Sequence, residues 1–323
     1  MYDVVTIGET MLRLTPDALA RWEQAERLQV HVGGSESNTA VGLSRLGMRV
    51  CWLTRLTQND FGRRIAQTIQ AQSVDTQHVT WTDEDRVGVY FFEEASPPRS
   101  NRVIYDRANS AFTRYSAAQL PTALFQANVS RCLHVTGISL ALGDIPRAMI
   151  QRAVELARQA GWLISFDLNY RAKLWSPSDA RKHCEELFQT ADIVFIPQRD
   201  AYSVWKLVAN EDPQSTLNAL TKTRRGMLSV MTMGQRGAAV QFHNQTWVDS
   251  ISPVAAVGRL GGGDAFAAGF LYGWLTYQDP LIALKWANAC AVVKYSILGD
   301  LPLFQRSEVE QYLSQSVDQA SFR

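Results

Sequence analysis

A chain of 323 residues with 46% hydrophobic content can bury a large core, and a formal net charge of +1 without long basic runs leaves no electrostatic footprint for nucleic acid or an anionic membrane. The most continuous apolar stretch, Ala265 to Leu275, falls short of the ~20 residues a membrane span needs, and Met1-Tyr2-Asp3 leads into a strand rather than a signal peptide. These features predict a single globular, cytoplasmic domain over 1–323 whose partners are small molecules, with no nucleic acid and no membrane.

Val4-Val5-Thr6-Ile7 is a short apolar run ending at Gly8 and reads as a strand, after which Ala40, Leu43 and Leu46 recur at helical spacing and predict a helix over Ser37 to Leu46. Val50 to Leu53 predicts another strand, and Phe61 to Ala71 a helix with Ile65 and Ile69 inward. Val87 to Glu93 and Arg102 to Tyr105 are β-rich and separated by the turn-like Ala95 to Asn101, the pattern of a hairpin. Tyr90, Phe91, Phe92 and Tyr105 would leave a large apolar patch on an isolated hairpin, so a partner or a closed cleft is expected to cover them. Leu163 to Phe166 and Ile193 to Ile196 are later strands, each followed by helix-like sequence. Met227 to Ala238 reads as a strand turning at Gly234 and Gly237 into a second one, Ala239 to Phe242. Strands alternating with amphipathic helices predict an α/β fold with a mainly parallel sheet covered on both faces and ligands at the C-terminal strand ends.

Cys51, Cys132, Cys184 and Cys290 lack paired metal-ligand spacing and read as reduced packing residues. The five histidines are equally scattered, which gives neither a zinc site nor a Ser-His-Asp triad a starting point.

Chemistry concentrates in Val257-Gly258-Arg259-Leu260-Gly261-Gly262-Gly263-Asp264-Ala265-Phe266, which sets three glycines and one carboxylate at the mouth of an apolar helix. Unpaired N–H groups and aligned peptide dipoles make such a mouth an anion site, and glycines let the anion come close. Asp264 cannot help bind an anion by its own charge. The use left for it is to take a proton from a hydroxyl attacking a bound phosphoryl group.

This segment resembles the C-terminal signature of the ribokinase-like (phosphofructokinase-B type) carbohydrate kinases. Gly33-Gly34-Ser35-Glu36-Ser37-Asn38-Thr39-Ala40, continuing to Arg45-Leu46-Gly47, resembles their N-terminal signature. Both motifs in the right order, so far apart, make chance a poor explanation. The resemblance implies a three-layer α/β/α sandwich with a small β-sheet lid formed by about 12–34 and 87–107, and a homo-oligomer, a dimer through that lid or higher. It implies ATP and Mg²⁺ as cofactors, a sugar site lined by Gly33, Gly34 and Asn38, Asp264 as base, and the amides of Gly261, Gly262 and Gly263 as anion hole.

Two further segments narrow the substrate. Asp167-Leu168-Asn169-Tyr170-Arg171-Ala172-Lys173-Leu174-Trp175 and Tyr105-Asp106-Arg107-Ala108-Asn109 resemble stretches of 2-keto-3-deoxygluconate kinases. By that resemblance Tyr90, Tyr105, Arg107, Asp167, Asn169 and Arg171 join the substrate site. The physics agrees, because a substrate carboxylate suits the planar, two-pronged guanidinium of Arg107 or Arg171. For Arg171, contact with ATP phosphates is a rival reading. On the nucleotide side, Thr232, Gly234 and Gly237 resemble the family's phosphate turn, and Asn288 its position near the adenine, with a packing or capping role as the equal alternative.

The chain also departs from the family pattern. Gly258 and Leu260 stand where relatives carry an Asp and a Thr, the Asp helping to hold an activating monovalent cation, so Arg259 is the candidate for a fixed positive charge there. Ala201 stands where the family has a Glu that orders the magnesium network, with Asp200 one residue early; no metal ligand is assigned. The reading that results is ATP-dependent phosphorylation of 2-keto-3-deoxygluconate to its 6-phosphate. Its alternatives are another ribokinase-like kinase of the fructokinase type and a catalytically impaired sugar-binding regulatory protein.

Overall fold

The apolar runs become strands and the amphipathic stretches helices in a computed structural model that describes residues 1–207, 212–222, 228–252, 254 and 256–321. In chain order the strands are β1 Val4–Ile7, β2 Met11–Thr15, β3 Gln29–Gly33, β4 Val50–Leu53, β5 Arg55–Thr57, β6 Thr80–Thr82, β7 Val89–Glu93, β8 Arg102–Asp106, β9 Cys132–Thr136, β10 Leu163–Asp167, β11 Ile193–Pro197, β12 Leu228–Thr232, β13 Ala238–Phe242 and β14 Gln245–Asp249. The helices are α1 Ser35–Arg45, α2 Asp60–Gln70, α3 Gly137–Ala141, α4 Asp144–Gln159, α5 Pro177–Thr190, α6 Gln198–Trp205, α7 Pro213–Thr221, α8 Gly262–Tyr277, α9 Pro280–Lys294 and α10 Arg306–Ser321. Met227, read as the first residue of a strand, lies outside the described residues.

An eight-stranded sheet runs in the order β14-β13-β12-β11-β10-β9-β1-β4. The strands from β4 to β12 are parallel, and β13 and β14 add an antiparallel edge. Because side chains alternate across a strand, Ile193 and Phe195 face one layer of helices while Val194 and Ile196 face the other. The first layer is α1, α2, α8, α9 and α10; the second is α3 to α7. This is the expected α/β sandwich.

A separate four-stranded sheet, β3-β2-β7-β8, joins the two β-rich regions read from the sequence. Tyr90 and Phe92 pack with Met11, Val103 and Tyr105 of the same sheet and with Leu260 of the turn before α8.

Helix α1 starts at Ser35, two residues before the apolar spacing suggested. Its first turn is polar yet buried, since it faces the site rather than a hydrophobic layer, so hydrophobic periodicity carries no trace of it. At the other side of the site, α8 is held by α9 at unusually close range. A Cβ added at Gly269 would lie 2.5 Å from the Trp286 carbonyl oxygen and 2.8 Å from the Cys290 sulfur. Gly269→Val should therefore overpack this contact and destabilise the protein by about 3 kcal/mol in urea unfolding, the upper range for inserted core volume. A midpoint equal to the parent's would show that the two helices separate freely.

Candidate active site

Two helix N-termini meet at the C-terminal edge of the sheet. Gly34 caps α1 in extended conformation, and a Cβ there would collide with the Glu9 carbonyl oxygen at 2.2 Å. Gly261 caps α8 with φ +71, a left-handed conformation that favours glycine, and its Cα faces the Asp300 carbonyl so closely that a Cβ would come within 2.0 Å. Beyond it, a Cβ on Gly262 would meet the Tyr295 ring at 2.6 Å, whereas at Gly263 nothing lies within 4 Å. The mouth of α8 is thus seated on the 295–300 loop and open at Gly263.

Asp264, in the first turn of α8, is held by the first turn of α1. Ser35 Oγ donates to its Oδ1 and Asn38 Nδ2 to its Oδ2, both at 2.7 Å. Asn169 Nδ2 donates in turn to Ser35 Oγ at 2.7 Å, so the loop after β10 is tied to the same carboxylate. Burial raises the Asp264 pKa, and the hydrogen bonds from Asn38 and Ser35 and the charge of Arg171 oppose that rise. Such a carboxylate is a stronger base than an exposed one.

A cavity of about 140 Å³ opens over Asp264. Of the residues singled out in the sequence, it brings together Gly33, Gly34, Asn38, Tyr90, Tyr105, Arg107, Arg171, Gly261 and Asp264. Arg107 is buried and paired with Glu9, donating through Nε at 2.8 Å and again through Nη2. Arg171 also lines an adjoining cavity of about 510 Å³ with Lys173 and Arg199, and among the described residues it makes no ion pair. Asp167 lies beside the cavity rather than in it. Burial and, secondarily, the Asp264 charge push its pKa up to about 8, against the hydrogen bond from the Asn169 amide.

The nucleotide-side residues are less gathered. Gly234 lines a narrow cleft with Ser252, Arg259 and Tyr295. Thr232 ends β12 paired with Ala238, and Gly237, φ +88, sits where a Cβ would strike the Asp249 carbonyl at 2.1 Å. Asn288 donates to the Asp249 backbone carbonyl at 3.0 Å and to its carboxylate at 2.7 Å, fastening α9 to β14, and it lines neither cavity nor cleft. Ala201 is fully buried, while Asp200, also buried, keeps an Oδ2 without a hydrogen-bond partner and lines the larger cavity.

Residues that motif reading did not assign complete the site. Glu9 neutralises Arg107. Asp300 accepts a hydrogen bond from Tyr90 of β7, lies 2.7 Å from Arg13 of β2, and presents its backbone carbonyl to Gly261. One residue therefore joins the small sheet to the mouth of α8. Lys294, the second lysine of the largely apolar α9, is wholly buried beneath the same turn, whereas Lys285 of that helix is exposed.

Comparison with known proteins agrees with this geometry. Residues 1–299 match the model of the pfkB family carbohydrate kinases. The chain is 34% identical over 96% of both chains to 2-dehydro-3-deoxygalactonokinase of Haloferax volcanii, and 27% identical to 2-dehydro-3-deoxygluconokinase of Thermoproteus tenax, with 93% of this chain and 90% of the relative covered. The solved structure of 2-dehydro-3-deoxygluconokinase from Thermotoga maritima superposes with a TM-score of 0.91 at 27% identity, covering 97% of this chain and 98% of that one.

The elevated pKa of Asp167 has a consequence for stability. An unfolded aspartate titrates near ~3.9, whereas the folded one titrates at about 8. The folded state then retains a proton that the unfolded state releases. The stability this supplies is full below the unfolded value and is lost as pH rises through about 8. Asp167→Asn keeps an acceptor for the Asn169 amide and removes the charge. Its stability relative to the parent should accordingly rise between pH 5 and pH 9, by at least ~1 kcal/mol, in paired urea titrations; a constant difference would contradict the assignment.

Proposed function

Because the chain belongs to the pfkB family of carbohydrate kinases, we propose that it transfers the terminal phosphoryl group of ATP to the 6-hydroxyl of a 2-keto-3-deoxy sugar acid, 2-keto-3-deoxygluconate in the first place. The observation that carries the substrate class is the charge in the cavity. Arg107 is compensated by Glu9, but Arg171 stands over Asp264 without an ion pair among the described residues. A planar guanidinium that faces Asp167, Asp200 and Asp264 without a close ion pair among the described residues, in a site that must also take a sugar, suits a carboxylate on that sugar. A neutral ketose would leave it unsatisfied.

In this reading Asp264 accepts the proton of the attacking hydroxyl. Its orientation is fixed before substrate arrives, since both oxygens are held by donors from α1. The N–H groups at the mouth of α8 stabilise the charge on the phosphoryl oxygens, with Gly263 leaving the approach open. The sheet β3-β2-β7-β8 supplies Tyr90, Tyr105 and Gly33 to the cavity wall and excludes water, the competing acceptor.

Magnesium enters with the nucleotide. Among the described residues no cluster of three His, Cys, Asp or Glu side chains is arranged to hold a metal unaided, while Asp200 offers one buried carboxylate oxygen without a partner. That donor set fits an ion carried mainly by phosphate oxygens, where its chemistry is to offset their charge.

The reading is tested by ADP release with 2-keto-3-deoxygluconate, its galactonate epimer, fructose, ribose and adenosine. Turnover confined to the two keto-deoxy acids is expected; preference for fructose or ribose would overturn the substrate class, and no turnover at all would favour the sugar-binding alternative. Asp264→Asn should lower kcat by ~10²–10⁴, the usual worth of a general base, with sugar-acid affinity retained in calorimetry. Arg171→Ala should raise KM for the sugar acid roughly 10- to 100-fold, as loss of a charged hydrogen bond does. It is a cleaner probe than Arg107→Ala, which would strand Glu9 as a buried unpaired charge.

A further inference from the structure

The turn that forms the mouth of α8 is seated on the loop that follows α9, and one side chain runs through the middle of that seat. Lys294 is wholly buried. Its ammonium donates to the carbonyls of Ile297 and Gly299, each at 2.9 Å, and its Cε would lie 3.4 Å from a Cβ on Gly261. The neighbouring Tyr295 contributes its carbonyl to the Val257 amide at 2.9 Å and its ring to the face of Gly262. The next residues of the loop place the Asp300 carbonyl against Gly261. The nearest contacts of Gly261 and Gly262 thus come from a loop whose shape Lys294 holds.

Burying a lysine is costly unless its charge is used. Folding the loop does not need a charge, because a neutral donor could satisfy the same two carbonyls. The groups that face the ammonium are Asp300 and Asp264, which favour its charged form, and Arg13, which with burial disfavours it. Arg259, the cation expected near this turn from the sequence, lines the narrow cleft with Gly234 and Tyr295.

We propose, on the basis of the kinase reading above, that Lys294 is a positioning residue for phosphoryl transfer: a resident ammonium that fixes the Gly261 turn and supplies positive charge behind its amides. A protein so built carries within its own chain the counter-charge that a phosphoryl-binding turn requires. Negative charge arriving above the turn meets a cation already in place in a dry environment, where it acts more strongly than it would in water.

Two variants test this. Lys294→Gln keeps an N–H donor for the loop carbonyls without the charge, and Lys294→Met keeps the length without either. At equal folded fraction, kcat for the sugar acid at pH 7 should fall about 10- to 100-fold in both, the range for loss of a preorganised electrostatic group. KM for the sugar acid should stay within about threefold, since the ammonium stabilises charge in transfer rather than bound sugar. Burial brings the Lys294 pKa down to about 8, so the parent's kcat should also decline above that pH, and both variants should lack this alkaline limb. Full kcat in either folded variant, an alkaline limb that persists, or failure of both to fold at pH 7 would overturn the proposal, the last by showing a purely structural role. A parent that releases no ADP with any sugar acid would instead remove the kinase reading, and this inference with it.

Discussion

The architecture turns on one buried carboxylate held between two helix N-termini. Asp264 belongs to the first turn of α8, yet both of its oxygens are held from the first turn of α1, more than two hundred residues earlier in the chain. A helix mouth carries partial positive charge, so setting two of them against one another is unfavourable unless an anion lies between. Asp264 is that anion in the protein alone, and the open face at Gly263 leaves room for a second one. The central sheet, the close α8–α9 contact and the loop at 295–300 fix where those two mouths meet.

Around this point the protein accumulates buried carboxyl groups. Glu36, wholly buried with its pKa pushed up to about 7 by desolvation, accepts hydrogen bonds from Thr136 and Ser139 at 2.8 and 2.7 Å. Asp167 and Asp264 are raised for the same reason, and Asp264 raises both of the others. Their charging is therefore linked, and ionisation of one disfavours ionisation of the next. The charge on Asp264 is favoured by its two neutral donors, Asn38 and Ser35, and by Arg171, whose charge also lowers Asp167, while Glu36 has no cation among its principal influences.

Much of the scaffold was legible in the sequence because it rests on local pattern. β1 and β4 fall on the residues their apolar runs mark, and the hairpin of β7 and β8 pairs as its composition suggests. The site was legible where a motif is compact, as in Gly33-Gly34 and Gly261 to Asp264. It was not legible where function depends on a pairing between distant segments. Nothing local says that Glu9 will neutralise Arg107, which changes that arginine from a free anion receptor into a structural half of an ion pair with only part of its fork left for a ligand. Asn288 shows the same limit from the other side, since its polar position within an apolar helix is explained by Asp249 on β14.

The departures from the family signature follow the same logic of compensation at a distance. Gly258 and Leu260 bring no carboxylate or hydroxyl to the turn before α8, which read alone suggests a weakened site. The structure instead supports that turn from the 294–300 segment, through the Tyr295 ring, the Asp300 carbonyl and the buried ammonium of Lys294. Asp300 then carries the support outward, because its carboxylate engages Tyr90 and Arg13 of the small sheet while its carbonyl meets Gly261. Asp300 is one of several links between the small sheet and the body, beside the Lys173 hydrogen bond to the Val103 carbonyl and the Arg64 hydrogen bond to the Val30 carbonyl, and its own carbonyl is set against Gly261. Asp300 and the Leu260 side chain, which packs with Tyr90 and Phe92, thus both link the small sheet to the turn before α8.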